Sequence, residues 1–290
     1  MSLPPGRLDR FARHIVLPEV GGAGQVALAG KHLVLVGLGG IGSPALQYLA
    51  GAGIGKLTLV DDDRVDASNL QRQTLYNERD VGHGKAVIAK RWVTGFDAAL
   101  DVTISDRRIT RDNAHELVVD ADLILDGTDN FATRLAVADA CVAERVPLLS
   151  AAVGRFQGQV GAFAGHLPNQ PCYRCFVGDA FDAEDCDTCA EDGMLGAMAG
   201  WVATFAALQA VRILLDGVSA LGEADWGRVH LLDGLKPAMR SFTIAKDPAN
   251  NVHRSPSFFV ALCTGVVRPC GVCDPCTGVV RPCGVCDPCT

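Results

Sequence analysis

The chain has 290 residues, of which 49% are apolar, and its 26 basic and 33 acidic side chains give a formal charge of −7. This composition is typical of a globular protein, and the length fits one large α/β domain or two smaller ones. A mildly acidic chain without a long basic run argues against a partner bound through nucleic-acid phosphates. The N-terminus has no apolar run of signal-peptide length, so we expect a cytoplasmic protein.

Short apolar runs alternate with helical patterns through most of the chain. The predicted strands are 31–37, 56–60, 102–104, 123–126, 147–150, 159–163, 228–232 and 239–244. The predicted helices are one that begins at residue 42 and includes 44–49, and others at 85–93, 113–119, 131–144 and 194–211. This order predicts an α/β fold with a doubly wound, Rossmann-like, mostly parallel sheet and antiparallel C-terminal strands.

The segment 194–211 contains no charged residue and has the length of a short transmembrane span. Glycines, Thr204 and Gln209 dilute its apolar character, and Arg212 follows directly. We therefore predict a buried helix of the α/β core and no membrane partner.

The chain is predicted to have three parts: an N-terminal segment (1–30), an α/β domain (31–248) and a cysteine-rich tail (249–290). The acidic stretch 172–189 is predicted to be a loop inside the domain. In the tail, 264–276 is repeated letter for letter as 277–289. Such low complexity predicts a disordered tail when no metal is bound, and the exact repeat favours a recent duplication.

Residues 37–42 read Gly-Leu-Gly-Gly-Ile-Gly, between a predicted strand and a predicted helix. In this setting Gly37, Gly39, Gly40 and Gly42 let a phosphate approach the backbone at a helix N-terminus. Asp61, which follows the next strand, is placed to bind a ribose hydroxyl. These residues predict a nucleotide site but do not distinguish a dinucleotide from ATP.

Asn69, Arg72 and Lys85 follow the ribose acid along the chain. Two cations and an amide are out of place beside a nicotinamide but suit a triphosphate, whose displacement needs preorganised positive charge. Either cation alone would be better interpreted as a solvated surface charge, so the prediction depends on the three occurring together.

Asp129 and Asn130 follow the strand at 123–126, and both are candidates for binding the nucleotide. A carboxylate at the carboxyl end of a parallel strand faces the ligand crevice, and Asp129 is therefore a candidate ligand for Mg²⁺. The alternative is an N-cap for the following helix, a role that suits Asn130.

Together these motifs make the sequence resemble the sulfur-carrier adenylyltransferases of the MoeB/ThiF/HesA family, within the superfamily of ubiquitin-activating enzymes. The resemblance extends over about residues 8–248, and the matching stretches are 10–19, 37–42, 60–63, 68–73, 80–85, 128–130 and 171–175. It implies an enzyme that uses ATP and Mg²⁺ to convert the C-terminal glycine carboxylate of a small ubiquitin-like sulfur carrier into an acyl adenylate, with release of pyrophosphate.

The resemblance also implies a role for each matching residue. Asp61 would bind the ribose, and Asp129 the magnesium. The phosphates would be bound by Asn69, Arg72 and Lys85. Arg13 would reach the site from the other subunit of a homodimer, and a separate protein would donate the sulfur.

The cysteines raise two further possibilities. Cys172 and Cys175 form a C-x-x-C pair, but a structural zinc needs four ligands. The family takes its second pair soon after a Lys-Asp-Pro sequence, where this chain has Asn250 and His253. We expect either that Cys270 and Cys273 in the tail complete the zinc site or that zinc is lost.

Cys189 lies where relatives carry a cysteine able to form a thioester or persulfide. It is a candidate nucleophile, with pairing to nearby Cys186 as the alternative. Adenylation itself would not require it.

Three other functions stay open at this stage. The enzyme could adenylate a short ribosomal peptide, which would make the tail suggestive. The chain could be a metal-binding protein on an inactive nucleotide fold. It could also be a Rossmann dehydrogenase, which would have to bind NAD(H).

Overall fold

A single eight-stranded sheet organises the part of the chain that the computed structural model describes, which comprises residues 3, 5–178 and 193–250. Its strands lie in the order β3-β2-β1-β4-β5-β6-β7-β8. The first five in this order are parallel, and β6, β7 and β8 are antiparallel to their neighbours. The strands are β1 (His32–Val36), β2 (Lys56–Val60), β3 (Asp101–Ser105), β4 (Leu123–Asp126), β5 (Leu148–Gly154), β6 (Gln157–Phe163), β7 (Arg228–Asp233) and β8 (Ala238–Thr243).

Helices cover both faces of this sheet. They are α1 (Pro5–Arg10), α2 (Ala12–Ile15), α3 (Gly21–Leu28), α4 (Gly42–Ala52), α5 (Lys85–Phe96), α6 (Ala114–Val118), α7 (Phe131–Ala143), α8 (Tyr173–Val177) and α9 (Gly196–Leu214). Helices α4, α5 and α9 pack on one face of the strands, and α6, α7 and α8 pack on the other. Because the central strands β1, β2 and β4 are covered on both faces, most of their side chains are apolar. The edge strand β3 is more polar and more exposed.

The predicted fold class is confirmed, and the predicted elements shift by a few residues at their bounds. Helices α1, α2 and α3 were not predicted. The prediction of a loop over 172–189 is wrong at its start, where α8 forms. Tyr173 and Phe176 of this helix pack against Phe163 of β6, with ring centroids 5.6 Å and 6.0 Å from that ring. Aromatic burial therefore stabilises a short helix in a stretch whose acidic composition predicts a loop. The rest of the loop beyond residue 178, with Cys189, and the tail with Cys270 and Cys273 lie outside the described residues.

Helix α9 is long and apolar enough to cross a membrane by length and composition, but half of that stretch is buried inside the protein. Its buried side packs on α4 and on the sheet. It is the core helix that the sequence predicts.

The chain reverses its direction of winding between β1 and β4. Strands β2 and β3 lie on one side of β1, and β4 and β5 lie on the other. At such a switch point the loops that leave the carboxyl ends of adjacent strands separate and open a crevice for ligands. The loops after β1, β2 and β4 carry the glycines, Asp61 and Asp129.

Helix α4 offers a test of how tightly the glycine loop is packed. A Cβ at Gly42 would overlap the carbonyl group of Gly37, whereas one at Gly51 would meet nothing within 4 Å. We expect Gly42→Ala to lower the free energy of unfolding by about 1–3 kcal/mol, as overpacking does. The matched control Gly51→Ala should raise it by about 0.5–1 kcal/mol, because alanine favours the helix. Urea unfolding measures both, and equal stability of the two variants would contradict the tight loop.

Candidate nucleotide site

The glycine loop, residues 37–42, packs directly against the turn that follows β4. Gly37 has φ +82°, and a Cβ there would lie 3.0 Å from the backbone nitrogen of Thr128. Both the positive φ and this contact require glycine at position 37. The loops after β1 and β4 therefore lie in direct backbone contact.

Two side chains form hydrogen bonds with the backbone of Leu38, one with its N–H group and one with its carbonyl group. The carboxylate oxygen Oδ2 of Asp61 accepts a hydrogen bond from the Leu38 nitrogen at 2.6 Å. The buried hydroxyl of Tyr76 donates to the Leu38 carbonyl oxygen at 2.9 Å. The conformation of the glycine loop is thus preset before any ligand binds.

Asp61 is largely buried beside this loop. Burial raises the pKa of its carboxyl group, although the charge of Lys85 and backbone N–H groups of Leu38 and Asp63 act to lower it. Each carboxylate oxygen already accepts one backbone hydrogen bond, from Leu38 or Asp63, and an oxygen can accept a second one. The side chain can therefore organise the loop and also bind a hydroxyl.

Arg72 lies next to the glycine loop. Its Cδ atom is 3.5 Å from the position that a Cβ of Gly40 would take, and its guanidinium group donates to the carbonyl oxygen of Ser68 at 3.1 Å. Asn69 shares this turn, and its carbonyl oxygen accepts from the backbone nitrogen of Arg72 at 3.0 Å. The local turn thus positions Arg72 against the loop.

Lys85 begins α5, and its side chain is only 6% exposed. Its Nζ atom lies 2.8 Å from Oδ2 of Asp63, whose side chain is exposed. The backbone nitrogen of Lys85 also donates to the carbonyl oxygen of Asp63. Asp63 thus holds the ammonium group of Lys85 near Asp61, which itself contacts the glycine loop.

Asp129 is exposed at the carboxyl end of β4. Asn130, next to it, caps α7, because its Oδ1 atom accepts from the backbone nitrogen of Thr133 at 2.9 Å. The structure therefore supports the capping interpretation for Asn130, and Asp129 is left as the carboxylate that faces solvent.

Arg13 lies away from the other predicted site residues of its own chain. Its helix, α2, is tied to the last residue of α4: His14 contacts Gln25 at 3.0 Å, and Gln25 donates to the carbonyl oxygen of Ala52 at 2.9 Å. Since α4 starts at the glycine loop and runs for about 16 Å, its end and Arg13 lie at the opposite edge of the sheet.

Two residues of this region were not predicted. Tyr76, which holds Leu38, carries no pattern that distinguishes it from a core aromatic residue. Arg134 is fully buried under the turn after β4. A signal for it exists, because a cation so close to the start of α7 opposes the helix dipole and needs a specific partner.

Cys172 and Cys175 lie side by side, with their Sγ atoms 3.8 Å apart. The amide of buried Asn250 lies 3.5 Å from Sγ of Cys172 and 3.8 Å from Sγ of Cys175. The hydrogen bond with Cys175 and burial both raise the pKa of Cys172. No cluster of three or more His, Cys, Asp or Glu side chains suited to a metal occurs within residues 5–178 and 193–250.

Comparison with known proteins decides the family. The ThiF family profile matches residues 11–253. The chain belongs to the ThiF family. It is 39% identical over 248 residues to the SAMP-activating enzyme E1 of Haloferax volcanii, covering 86% of this chain and 89% of that one. It is 38% identical over 246 residues to the sulfur carrier protein adenylyltransferase of Thermus thermophilus, covering 83% of this chain and 89% of that one.

Solved structures share the fold of this family member. The structure of E. coli MccB with a MccA variant superposes with a TM-score of 0.72 at 20% identity, covering 85% of this chain and 74% of MccB. The PaaA structure gives a TM-score of 0.70 at 21% identity, covering 84% of this chain and 76% of PaaA. These likenesses agree with the predicted doubly wound fold and its antiparallel strands.

The hydrogen bond from Tyr76 to the Leu38 carbonyl oxygen can be tested by removing the Tyr76 hydroxyl group. We expect Tyr76→Phe to lower the free energy of unfolding by about 0.5–1.5 kcal/mol, because a buried hydrogen bond is lost. Tyr48→Phe is the matched control and should change stability by less than about 0.5 kcal/mol, since Tyr48 is 59% exposed. Chemical denaturation measures both, and an unchanged Tyr76→Phe would show that the hydroxyl does not hold the loop.

Proposed function

We propose that this ThiF family protein is an ATP-dependent adenylyltransferase that activates the C-terminal glycine carboxylate of a small ubiquitin-like sulfur carrier. One observation carries this proposal, the grouping of two cations near the glycine loop. Arg72 lies against this loop, and buried Lys85 pairs with Asp63, close enough to Asp61 for its charge to act on that carboxyl group. Two cations at a nucleotide loop suit a triphosphate rather than a nicotinamide. The names of the relatives from Haloferax volcanii and Thermus thermophilus support a carrier protein as the substrate.

Each residue of the site has a proposed task. Gly37, Gly39, Gly40 and Gly42 let the backbone approach the nucleotide, and Asp61 binds its ribose. Asn69, Arg72 and Lys85 bind the phosphates. The ammonium group of Lys85 has three N–H donors, so it can bind a phosphate oxygen beside its contact with Asp63 or in place of it.

The reaction needs no general base. A C-terminal carboxyl group has a pKa of about 3.5 and is already ionised at neutral pH. One of its oxygens forms a bond to the α-phosphorus, the bond from that phosphorus to the bridging oxygen breaks, and pyrophosphate leaves with the electron pair. Arg72 and Lys85 stabilise the charge that develops on the phosphate oxygens, which is the main task in such transfers.

Asp129 fits a magnesium ion, because it is a solvent-facing carboxylate at the carboxyl end of β4 and Mg²⁺ prefers such hard oxygen ligands. When bound, the ion would neutralise phosphate charge and orient the departing pyrophosphate. Asn130 is assigned to the support of this turn, through its cap on α7, rather than to direct contact.

Zinc is not assigned a step in this reaction. A structural zinc needs four ligands, and the described residues bring two thiols together, Cys172 and Cys175, with the amide of Asn250 in contact with both. The described residues therefore do not fit zinc by themselves. Completion by Cys270 and Cys273, a nucleophilic role for Cys189 and a separate sulfur donor stay predictions, as does a cytoplasmic location.

We also propose a homodimer in which Arg13 completes the partner's site. The outward faces of α4 and α9 carry no charge between residues 196 and 211 or along α4. Tyr48, Trp201 and Leu208 are exposed there. In a two-fold symmetric dimer formed through this face, with the two copies antiparallel, the amino edge of one sheet would lie beside the carboxyl edge of the other. This arrangement would bring Arg13 of one subunit towards the partner's glycine loop.

Exchange of radiolabelled pyrophosphate into ATP tests the proposed activity. Wild-type protein should catalyse exchange only with a carrier that ends in Gly-Gly. Arg72→Ala, Lys85→Ala and Asp129→Ala should each reduce the rate by about two orders of magnitude, as expected for loss of one transition-state charge contact. Lys90→Ala is the matched control, because Lys90 is exposed on the same helix as Lys85. Retained exchange in all three site variants would overturn the assignment.

Complementation between two inactive variants tests the dimer. We expect a purified heterodimer of Arg13→Ala and Lys85→Ala subunits to recover about half of the wild-type exchange rate, because one of its two sites is intact. Each homodimeric variant alone should be nearly inactive. A heterodimer as inactive as its parents would show that Arg13 acts within its own chain.

A short ribosomal peptide is the alternative substrate. The structural likeness to MccB, at 20% identity, shows a shared fold and does not distinguish the two substrates. Exchange that depends on peptides and not on any carrier would favour this alternative. Exchange with a carrier alone would reject it.

A further inference from the structure

Arg134 is a charged residue in the interior of the protein, and the proposed chemistry does not use it. Its side chain is 2% exposed, below the turn that joins β4 to α7. Burial of an arginine is costly unless its charge is paired and its N–H groups are bonded. The contacts of this guanidinium group therefore indicate what it does.

Those contacts join the turn that carries Asp129 to the neighbouring strand β5. The guanidinium group donates to the carbonyl oxygen of Thr128 and pairs with Asp126 at 3.5 Å. It also donates to Oγ of Ser150 at 3.0 Å and to the carbonyl oxygen of Ala151 at 2.8 Å. Arg134 thus ties the turn after β4 to the neighbouring strand β5.

Asp126 holds the same turn from its other side. Its Oδ1 atom accepts hydrogen bonds from the backbone nitrogen of Thr128 at 3.0 Å and from the Thr128 hydroxyl at 2.7 Å. Both peptide groups of Thr128 are therefore bonded, one to Asp126 and one to Arg134. The second of these peptide groups leads directly into Asp129, so its orientation helps to set where the Asp129 carboxylate points.

The turn also contacts the glycine loop. The backbone nitrogen of Thr128 lies 3.0 Å from the position that a Cβ added at Gly37 would take. Likewise, Cβ of Ile41 lies 3.3 Å from the position that a Cβ added at Gly127 would take. A shift of Thr128 would therefore move Asp129 and disturb the contact with the glycine loop together. Because its side chain is buried, Arg134 is not available for contact with a nucleotide in the outer crevice.

We propose that Arg134 is a positioning residue that holds the Asp129 carboxylate in register with the glycine loop for the magnesium nucleotide. This inference rests on the proposed function. Arg134 acts through Asp129, so its replacement should weaken the benefit that Mg²⁺ gives to ATP binding. Supporting groups behind a metal ligand are typically worth about 10–100-fold in metal affinity or activity.

Calorimetric titration of the full chain with ATP, in the presence and absence of Mg²⁺, gives the required readout. The ratio of the two affinities measures the magnesium benefit. Arg134→Lys keeps the charge but loses the planar fork of donors, and should lower this ratio about tenfold. Asp129→Asn should lower it at least as much. The double variant should equal Asp129→Asn, because Arg134 has nothing further to position.

Arg174→Lys is the matched control. Arg174 also pairs with α7, through two contacts of 2.6 Å and 2.7 Å to Asp139, but away from Asp129. It should destabilise the protein without changing the magnesium ratio. A fall in the ratio equal to that of Arg134→Lys would overturn the proposal, and so would a further loss in the double variant beyond that of Asp129→Asn.

Ser150→Ala gives a milder second variant if Arg134→Lys does not fold. It removes one hydrogen bond from Arg134 and should lower the magnesium ratio about two- to threefold. An unchanged ratio would reject the proposal. If Asp129→Asn kept the magnesium ratio of the wild type, Asp129 would be rejected as the magnesium ligand. If the wild-type protein showed the magnesium ratio but no carrier-dependent exchange, only the proposed function would be rejected.

Discussion

The close contact between two backbone turns is the constraint on which the proposed site depends. The glycine loop after β1 and the turn after β4 pack so closely that no side chain fits at Gly37. This contact is possible because β1 and β4 are neighbours in the sheet although their order along the chain is not consecutive. Adjacent parallel strands bring the loops at their carboxyl ends to one edge, which is where ligands bind in doubly wound folds.

The three cationic side chains near this edge, Arg134, Lys85 and Arg72, differ in how deeply they are buried. Arg134 is buried, donates to backbone carbonyl groups and to the Ser150 hydroxyl, and pairs with Asp126, which suits the positioning role proposed for it. Lys85 is nearly buried but is paired with exposed Asp63, a contact that a phosphate can replace. Arg72 lies closer to the surface beside the glycine loop. Arg134, whose partners are all inside the protein, is suited to support the site. Lys85, whose partner Asp63 is exposed, is suited to bind a phosphate.

The two edges of the sheet have different tasks in this picture. The carboxyl edge carries the residues proposed to bind the nucleotide, and the amino edge carries α2 and Arg13, held there through Gln25. The uncharged outer faces of α4 and α9 connect the edges. In the proposed homodimer, this layout would let a second copy, turned around, supply Arg13 to the site of its partner.

The sequence by itself determined the strands, their parallel core and most of the proposed site, because buried strands, glycine turns and the residues that follow them are local patterns. It also marked Asn130 as a helix cap. Only the tertiary structure decided which groups Tyr76 and Arg134 contact, at which edge of the sheet Arg13 lies, and that Asn250 contacts Cys172 and Cys175. It also turned the start of the predicted acidic loop into α8. These features join residues distant along the chain, and side-chain packing between separate elements leaves no periodic trace in any one of them.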